Sequence, residues 1–345
     1  MRTIPKPIAA PLIALLLPFI AADPTAAGRA GDAPPAREET SAPRDQGVRA
    51  RDDAGDRLSR IEQAMWHRDP EAAPLLREWA AGDPNDRVRE RSVGALAIIR
   101  DPEATPVFLG RLNGDPSAAV RRAAAEAIGL LRPKVNIERL AEPLRNDADP
   151  FVRAECARAI GRIGMTQLGG ALLVSLVQDP SQEVRAVAAE AIATLRPREA
   201  ADVLRAVARQ DAAILVRIYA VRALAEISPG PSVSLFRAVW DGPSDPDLRL
   251  EAFRGLLLAE SGEAWERAGL ADEDERVRFL AFREWLSRTV RARAGGGGMP
   301  DGDFAARLEG FLADRVRGIR ELAKDQMETL GFRVRSSGFG YAVER

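Results

Sequence analysis

An apolar residue followed by arginine recurs along this chain with a constant 32-residue period. The pairs in this register are Val88-Arg89, Val120-Arg121, Val152-Arg153, Val184-Arg185, Val216-Arg217 and Leu248-Arg249. Val277-Arg278 then follows after a shorter interval and Val316-Arg317 after a longer one, with a glycine-rich insertion at 294–302 between them. Self-similarity of this kind indicates a repeat architecture, in which stacking on neighbouring units supplies the core.

Each unit carries the sequence signals of two helices. An aspartate before a proline, as in Asp115-Pro116, supplies an N-cap acceptor and a residue suited to the first helical turn. Small and apolar residues then recur at helical spacing, and a shorter amphipathic run precedes each such helix. We therefore predict an all-α fold, an α-solenoid of about eight stacked antiparallel helix pairs over residues 58–330. Residues 331–345 match no repeat and are predicted to form a cap or a loose tail.

The repeat resembles a known family through the consensus D-P-x-x-x-V-R-x-x-A-A-x-A-I-G, which runs here from Asp115 to Gly129. It is similar to the HEAT-repeat family, especially the short alanine-rich repeats of phycobilin lyases and many bacterial proteins. The resemblance covers roughly residues 58–330. It implies the solenoid fold but no particular function, because this fold hosts many unrelated tasks.

The resemblance also implies a ladder between successive repeats, made by an aspartate before the second helix and an arginine six residues later. The pairs would be Asp83/Arg89, Asp115/Arg121, Asp147/Arg153, Asp179/Arg185, Asp211/Arg217 and Asp272/Arg278. Pro243 and Phe311 take the aspartate position in the sixth and last units. Arg249 and Arg317 are therefore predicted to lack this partner.

The N-terminus has the three parts of a secretory signal peptide. Arg2 and Lys6 precede an apolar run at 8–22, and small residues follow it. We predict a signal peptide at 1–27 and a disordered Ala/Pro/charged leader at 28–57, and hence an exported protein, periplasmic or secreted, with no stable membrane span after cleavage. The alternative is a chain anchored by an uncleaved N-terminal segment.

Composition excludes several classes of function. The 50 basic and 51 acidic residues leave a formal net charge of −1, so no overall field attracts nucleic acid. One histidine, His67, and one cysteine, Cys156, cannot form a zinc cluster or a disulfide framework. Cys156 stands where other repeats have alanine, which predicts a buried residue rather than an activated thiol. We expect no catalytic residue, no metal site and no cofactor.

Polar residues that differ between repeats are the candidates for function, because the scaffold does not require them. Six residues after each valine the sequence has Gly94, Glu126, Arg158, Glu190, Arg222, Arg254 and Arg283. This column is predicted to lie on the concave face, with Tyr219 beside Arg222, and its arginines suit an acidic peptide or a carboxylate ligand. The alternative is ordinary surface ion pairing of Arg158 with Glu155 and of Arg254 with Glu251.

Three hypotheses for function follow. The first is an exported, non-enzymatic scaffold that binds a protein or peptide partner through Arg158, Tyr219, Arg222, Arg254 and Arg283. The second, implied by the resemblance to bilin lyases, is an accessory protein that holds a small chromophore. The third is a purely structural spacer in an envelope assembly.

Overall fold

The computed structural model describes residues 53–134, 137–197, 199–260 and 263–344. The predicted signal peptide and most of the predicted leader lie outside these residues. Within them, seventeen α-helices follow one another and pack as sequential pairs, so the prediction of an all-α solenoid is confirmed. The first helix begins at Ala54, inside the predicted leader, because the Asp53 carboxylate caps it by accepting from the Asp56 N–H at 2.9 Å.

Each unit consists of a first helix and a second helix. The first helices are α2 (Ala73–Gly82), α4 (Thr105–Gly114), α6 (Ala141–Asn146), α8 (Gly169–Gln178), α10 (Ala200–Gln210), α12 (Val233–Asp241), α14 (Glu263–Leu270) and α16 (Asp301–Phe311). The second helices are α3 (Asp86–Ile99), α5 (Ala118–Leu131), α7 (Pro150–Ile163), α9 (Gln182–Leu195), α11 (Ile214–Ile227), α13 (Pro246–Ala259), α15 (Glu275–Ala294) and α17 (Arg317–Thr329). Helix α1 (Ala54–His67) packs on α3 and takes the place of a second helix ahead of the first complete pair.

The aspartate before proline has two different roles at the start of the second helices. Asp149 caps α7 as predicted, because its carboxylate accepts from the Phe151 N–H at 2.7 Å. In α5 the cap residue is Ser117, and Asp115 lies two residues earlier, where it accepts from the Ser117 N–H at 2.9 Å. The turn before α5 therefore holds the Asp115 carboxylate in a fixed position instead of using it as the cap.

Local sequence also sets the C-terminal ends of the second helices. Four helices end at an arginine in the left-handed region, namely Arg68, Arg100, Arg132 and Arg196, with φ between 49° and 62°. Gly164 occupies the same position after α7, with φ of 85°. One sharp turn therefore recurs at this point of several repeats, and only one of these units places a glycine there.

The ladder between repeats exists, but its charge pairs differ from those predicted. The Arg89 guanidinium donates from Nε and Nη2 to the carboxylate of Asp115, in the next repeat, at 2.8 Å. Its Nη1 donates to the backbone carbonyl of Asp83, in its own repeat, at 2.8 Å. The arginine thus joins two consecutive repeats, and the carboxylate it neutralises lies 26 residues ahead of it.

Seven such carboxylate rungs are present among the described residues. They are Arg57–Asp83, Arg89–Asp115, Arg121–Asp147, Arg153–Asp179, Arg185–Asp211, Arg249–Asp272 and Arg278–Asp314. The first rung begins at Arg57 of α1, which lies one full period before Arg89 but follows Asp56 instead of an apolar residue.

Two predictions about the ladder were wrong, namely that Arg249 lacks a partner and that Arg317 is the ladder arginine of the last unit. Arg249 does not lack a partner, because it reaches forward to Asp272, with 2.6 Å between Nη2 and Oδ2. The gap falls one unit earlier, at Arg217, since the residue ahead of it in the ladder is Pro243. Among the described residues the Arg217 guanidinium binds no carboxylate, and its Nε donates to the carbonyl of Ala208 at 3.3 Å. In the last unit the ladder residue is Arg320, which donates to the Asp314 carbonyl at 2.7 Å, whereas Arg317 is exposed.

Small residues bring the second helices close together. A Cβ atom at Gly129 would lie 3.0 Å from Cα of Ala159, and one at Gly161 would lie 3.0 Å from Cα of Ala191. From α3 to α13, neighbouring second helices pack along much of their length, whereas the neighbouring first helices of this stretch meet over far fewer residues. The second helices therefore form the more tightly spaced row, as expected for the concave side of a curved solenoid.

Larger side chains build the C-terminal part of the core. Phe282, Trp285 and Phe304 are buried, and Phe311 packs against the first two, with its ring centroid 4.7 Å from that of Phe282. The segment after α17 forms an antiparallel hairpin of β1 (Val334–Ser337) and β2 (Gly340–Val343). Tyr341 fixes this hairpin to the array, because its N–H donates to the Leu312 carbonyl and its hydroxyl to Glu321.

Candidate partner-binding site

The candidate site lies on the exposed side of the second helices. In the units from α3 to α15, the repeated valine or leucine and the small residue four positions later are buried, as at Val152 and Cys156 or Val216 and Ala220. Helical geometry places three other positions together on the opposite side of the helix: the residue before the valine and those three and six residues after it. The first of these is exposed in most units, whereas Glu155 and Glu251, three residues after the repeated Val152 and Leu248, are buried. These positions form three parallel columns that run across the repeats.

A groove of about 560 Å³ crosses four consecutive second helices, α5, α7, α9 and α11. Every residue that lines it belongs to one of these helices, and none belongs to a first helix. Of the residues predicted to bind a partner, Arg158 and Tyr219 line the groove. We refer to it as the inner groove.

Two exposed apolar side chains in the inner groove had not been predicted as site residues. Phe151 is 60% exposed and Leu215 is 39% exposed. Both directly precede the repeated valine, at a position where the other units have a small residue, Ala119, or a charged one, namely Arg87, Glu183, Asp247 and Arg276. This departure from the polar residues of the column was visible in the sequence and would have identified both of them.

Arg158 is already engaged within its own repeat. Its guanidinium donates to the carboxylate of Glu155, which is 8% exposed as a residue. Arg162 reaches the other oxygen of the same carboxylate at 3.5 Å. Two arginines therefore share the Glu155 carboxylate, and Glu126 and Glu183 line the same groove, so its three lining arginines are matched by three lining glutamates.

Arg222 and Arg254 converge on one buried carboxylate, that of Glu251, which is 3% exposed. Arg222 Nη2 donates to Glu251 Oε1 at 2.7 Å, and Arg254 Nε lies 3.6 Å from Oε2. The hydrogen bond to Glu251 raises the pKa of Arg222, which stays charged. The Arg222 guanidinium also lies 5.0 Å from the ring centroid of Tyr219, a cation–π distance.

The structure brings together four of the five predicted residues as two ion-pair clusters, around Glu155 and around Glu251. Arg283 stands apart from both, with its guanidinium 5.9 Å from the Phe279 ring centroid and no described carboxylate bound to it. Arg122, an exposed residue of the inner groove, is likewise bound to no carboxylate that the structure describes. Sequence reasoning missed Arg122 because it lies outside the column that was considered.

Guanidinium, carboxylate, phenol and apolar side chains make up the candidate site. Burial raises the pKa of the Cys156 thiol well above its usual range, so this cysteine is no activated nucleophile. Among the described residues, no group of three or more His, Cys, Asp or Glu side chains is placed to hold a metal ion. The same part of the chain contains no helix long and apolar enough to cross a membrane.

Comparison with known proteins identifies the repeat. A family model described as HEAT repeats matches residues 49–129, 105–170 and 170–257, together more than half of the chain. No curated protein matches significantly. Among solved structures, the complex of CpcE and CpcF of phycocyanin lyase from Nostoc sp. PCC7120 aligns at 19% identity and a TM-score of 0.45, over 66% of this chain and 94% of that chain. By its sequence repeats, this chain belongs to the HEAT-repeat family.

Proposed function

We propose that this protein is a non-enzymatic HEAT-repeat scaffold that binds a protein or peptide partner in the inner groove. The observation that carries the proposal is the exposure of Phe151 and Leu215 in a groove built only from second helices. An apolar residue exposed alone needs no explanation, but two that share a concave surface with Tyr219 are typical of a binding site.

The apolar side chains would supply most of the affinity. Burial of a Phe or Leu side chain stabilises a complex by about 1.5–3 kcal/mol, and aromatic anchors at the centre of an interface dominate binding. Phe151 is attached to α7 and Leu215 to α11, so neither needs an ordered loop to present it. A site on rigid elements loses little conformational entropy when the partner docks.

The charged residues that line the groove balance, with three arginines and three glutamates, and two arginine clusters supply the donors for an acidic partner. Arg158 and Arg162 share the carboxylate of Glu155, and Arg222 and Arg254 share that of Glu251. Each cluster keeps one positive charge in excess. These arginines are also held in place by their glutamates, so planar guanidinium groups are preorganised for a partner's carboxylates.

We propose in addition that the protein acts outside the cytoplasm, after export by the segment at 1–27. This part of the proposal is supported by the charged, apolar and small-residue regions of that segment. Mass spectrometry of the protein recovered from the envelope and the medium tests it, since cleavage removes these residues. Full-length protein confined to the cytoplasm would contradict it.

Site-specific photo-crosslinking tests the binding site directly. A photoreactive residue at Leu215 should capture a defined partner in the native cell, whereas one at Val177 of α8, which is 57% exposed, should not. The double variant Phe151→Ser, Leu215→Ser should then lose that partner. The matched control is Val174→Ser, Val177→Ser, which removes two exposed apolar side chains from a first helix.

The charge contribution needs residues that do not stabilise a buried glutamate. Reversing Arg222 or Arg254 would confront Glu251 with a second carboxylate and disturb folding. Arg122→Glu and Arg283→Glu avoid this, and together they should slow association with an acidic partner and abolish most of its salt dependence. Arg209→Glu with Arg267→Glu, on first helices, is the control. Equal binding by both double variants would remove the acidic partner from the proposal.

A further inference from the structure

A second pocket, of about 770 Å³, lies at one edge of the array and shares no lining residue with the inner groove. The turn after α3 and the start of α4 form one wall. The end of α5 and the turn that follows it form the other. We refer to it as the edge pocket. Its volume lies within the range of sites that enclose a small organic ligand, about 300–1,000 Å³.

The floor of the edge pocket is aliphatic. Leu109, Leu130 and Leu131 line it, together with prolines of the two turns. Leu130 is 51% exposed although it lies on a helix whose other apolar residues are mostly buried. No aromatic side chain is among the lining residues, so the pocket offers no surface on which a nucleotide base could stack.

The rim of the edge pocket is basic. Arg100, Arg132, Lys134 and Arg139 surround the aliphatic floor, and none of them forms an ion pair with a carboxylate that the structure describes. Glu103 is the acidic residue at this rim. Its carboxylate is already engaged by Arg77 of α2, at 2.6 Å.

Part of this charge is not required by the repeat. Arg139 occupies a position where the units on either side, one period away, have Val107 and Ala171. Lys134 is one of only three lysines in the sequence. An apolar or small residue stands at this position in both neighbouring units, so the repeat itself does not require the positive charge of Arg139.

We propose that the edge pocket binds an amphipathic anion, with an aliphatic body on the leucine floor and a carboxylate or phosphate head group on the basic rim. The apolar body would leave water at the floor, and the head group would meet guanidinium and ammonium donors that have no carboxylate of their own. Two or more cations around one head group also favour an anion over a neutral amphiphile, because an uncharged head group cannot form ion pairs with them.

Calorimetric titration of the protein with three twelve-carbon probes tests this proposal. Dodecanoate and dodecyl phosphate, both below their micelle concentrations, represent the two head groups, and dodecanol is the uncharged control. We expect saturable binding of at least one anion at one site per chain, and the stronger of the two assigns the head group. Equal binding of dodecanol, or no binding of either anion, would overturn the proposal.

Three variants locate the binding. Lys134→Ala and Arg139→Ala should each weaken binding of the preferred anion about tenfold, the effect of losing one charged hydrogen bond. Leu130→Gln should weaken it through the floor and, because Leu130 is exposed, should leave the fold intact. Arg209→Ala, which removes an exposed arginine from α10, should change nothing. Binding that survives the loss of both Lys134 and Arg139 would place the anion elsewhere.

Discussion

Arg89 holds the carboxylate of Asp115 with two hydrogen bonds of 2.8 Å while its third nitrogen holds the carbonyl of Asp83. Both side chains of this pair are almost fully buried, at 9% and 0% exposure. A buried ion pair contributes little relative to an apolar pair, but removing one partner leaves the other charge unpaired in a desolvated place. Loss of a single residue of a ladder rung is therefore expected to destabilise the fold, because it leaves the other charge buried without its partner.

Arg89→Ala should lower the free energy of unfolding by about 3 kcal/mol, because Asp115 would keep its charge without its main partner. Arg217→Ala is the matched control, since that arginine has the same place in its repeat but faces Pro243 instead of an aspartate. We expect a loss there of about 1 kcal/mol or less. Urea denaturation followed by circular dichroism measures both, and equal losses would show that the rung itself contributes nothing.

The missing rung can be restored by one substitution. Pro243→Asp places a carboxylate 26 residues ahead of Arg217, the separation found in the rungs that precede it. The variant should raise the midpoint of thermal unfolding, and Pro243→Asn, which lacks the charge, should not. The double variant Pro243→Asp, Arg217→Ala separates a true rung from a local effect of removing proline. A gain that persists in it would contradict the new ion pair.

The left-handed arginines predict a stabilising exchange. Arg196 has φ of 52°, a conformation that costs a residue with a Cβ atom about 1 kcal/mol. Its ion pair with Glu226, at 3.5 Å between exposed groups, offsets little of this. Arg196→Gly should therefore stabilise the protein by roughly 0.5–1 kcal/mol, and Gly164→Ala should destabilise it by a similar amount. Differential scanning calorimetry should show shifts of opposite sign, and a lower midpoint for Arg196→Gly would refute this account.

The ladder also predicts how stability depends on pH. Burial of the Asp115 carboxyl opposes its ionisation, but hydrogen bonds from Arg89 and the Ser117 N–H outweigh burial and lower its pKa. The pKa values of Asp147, Asp211 and Asp272 are lowered for the same reason. Since each folded pKa lies below the unfolded value of about 3.9, this stabilisation is complete above that pH and is lost as pH falls through the folded pKa.

Unfolding free energies measured between about pH 6 and pH 2 check this expectation. Stability should decline as pH falls below about 4. Asp115→Asn should be less stable at neutral pH and should show a shallower acid decline. Asp303→Asn, at an exposed residue with no ion pair to a described partner, should follow the unmodified protein. An unchanged acid decline in Asp115→Asn would contradict the proposed origin of the pH dependence.

The sequence predicted the helices and their stacking because both depend on spacing, which periodic residues display directly. It could not decide which aspartate each arginine neutralises. An arginine that stands six residues after one aspartate is, in this repeat, also 26 residues before the next, so both pairings fit the same pattern. Side-chain direction selects the second pairing, and no count of residues contains that information. The irregular spacing before α17 concealed the last unit for a related reason, because the ladder residue there is Arg320 and not Arg317.

The candidate site was predicted in part. Arg222 and Arg254 were placed on the correct row of helices, and the pairing of Arg254 with Glu251 within α13 was foreseen as the alternative. The contact of Arg222 with Glu251, 29 residues away, was not foreseen, and it joins α11 to α13. The sequence therefore did not reveal that Arg222 is bound by a carboxylate of the next repeat. Phe151 and Leu215 were missed because the position before each repeated valine was not compared between the units. Whether an apolar residue is exposed depends on the helix face it occupies, and the position before each repeated valine lies on the exposed face.

The forward reach of each ladder arginine makes the repeats between Arg57 and Asp211 interchangeable modules. If the chain is cut at equivalent points in two of these units, each cut separates one ladder arginine from its aspartate. When the remaining ends are joined, the arginine on one side meets an equivalent aspartate on the other, and the rung forms again. Whole units in this stretch can thus be duplicated or deleted without stranding a charge, which is how an array of this kind can change length during evolution. The junction between Arg217 and Pro243 has no such rung to form again, so this exchange of units does not extend beyond it.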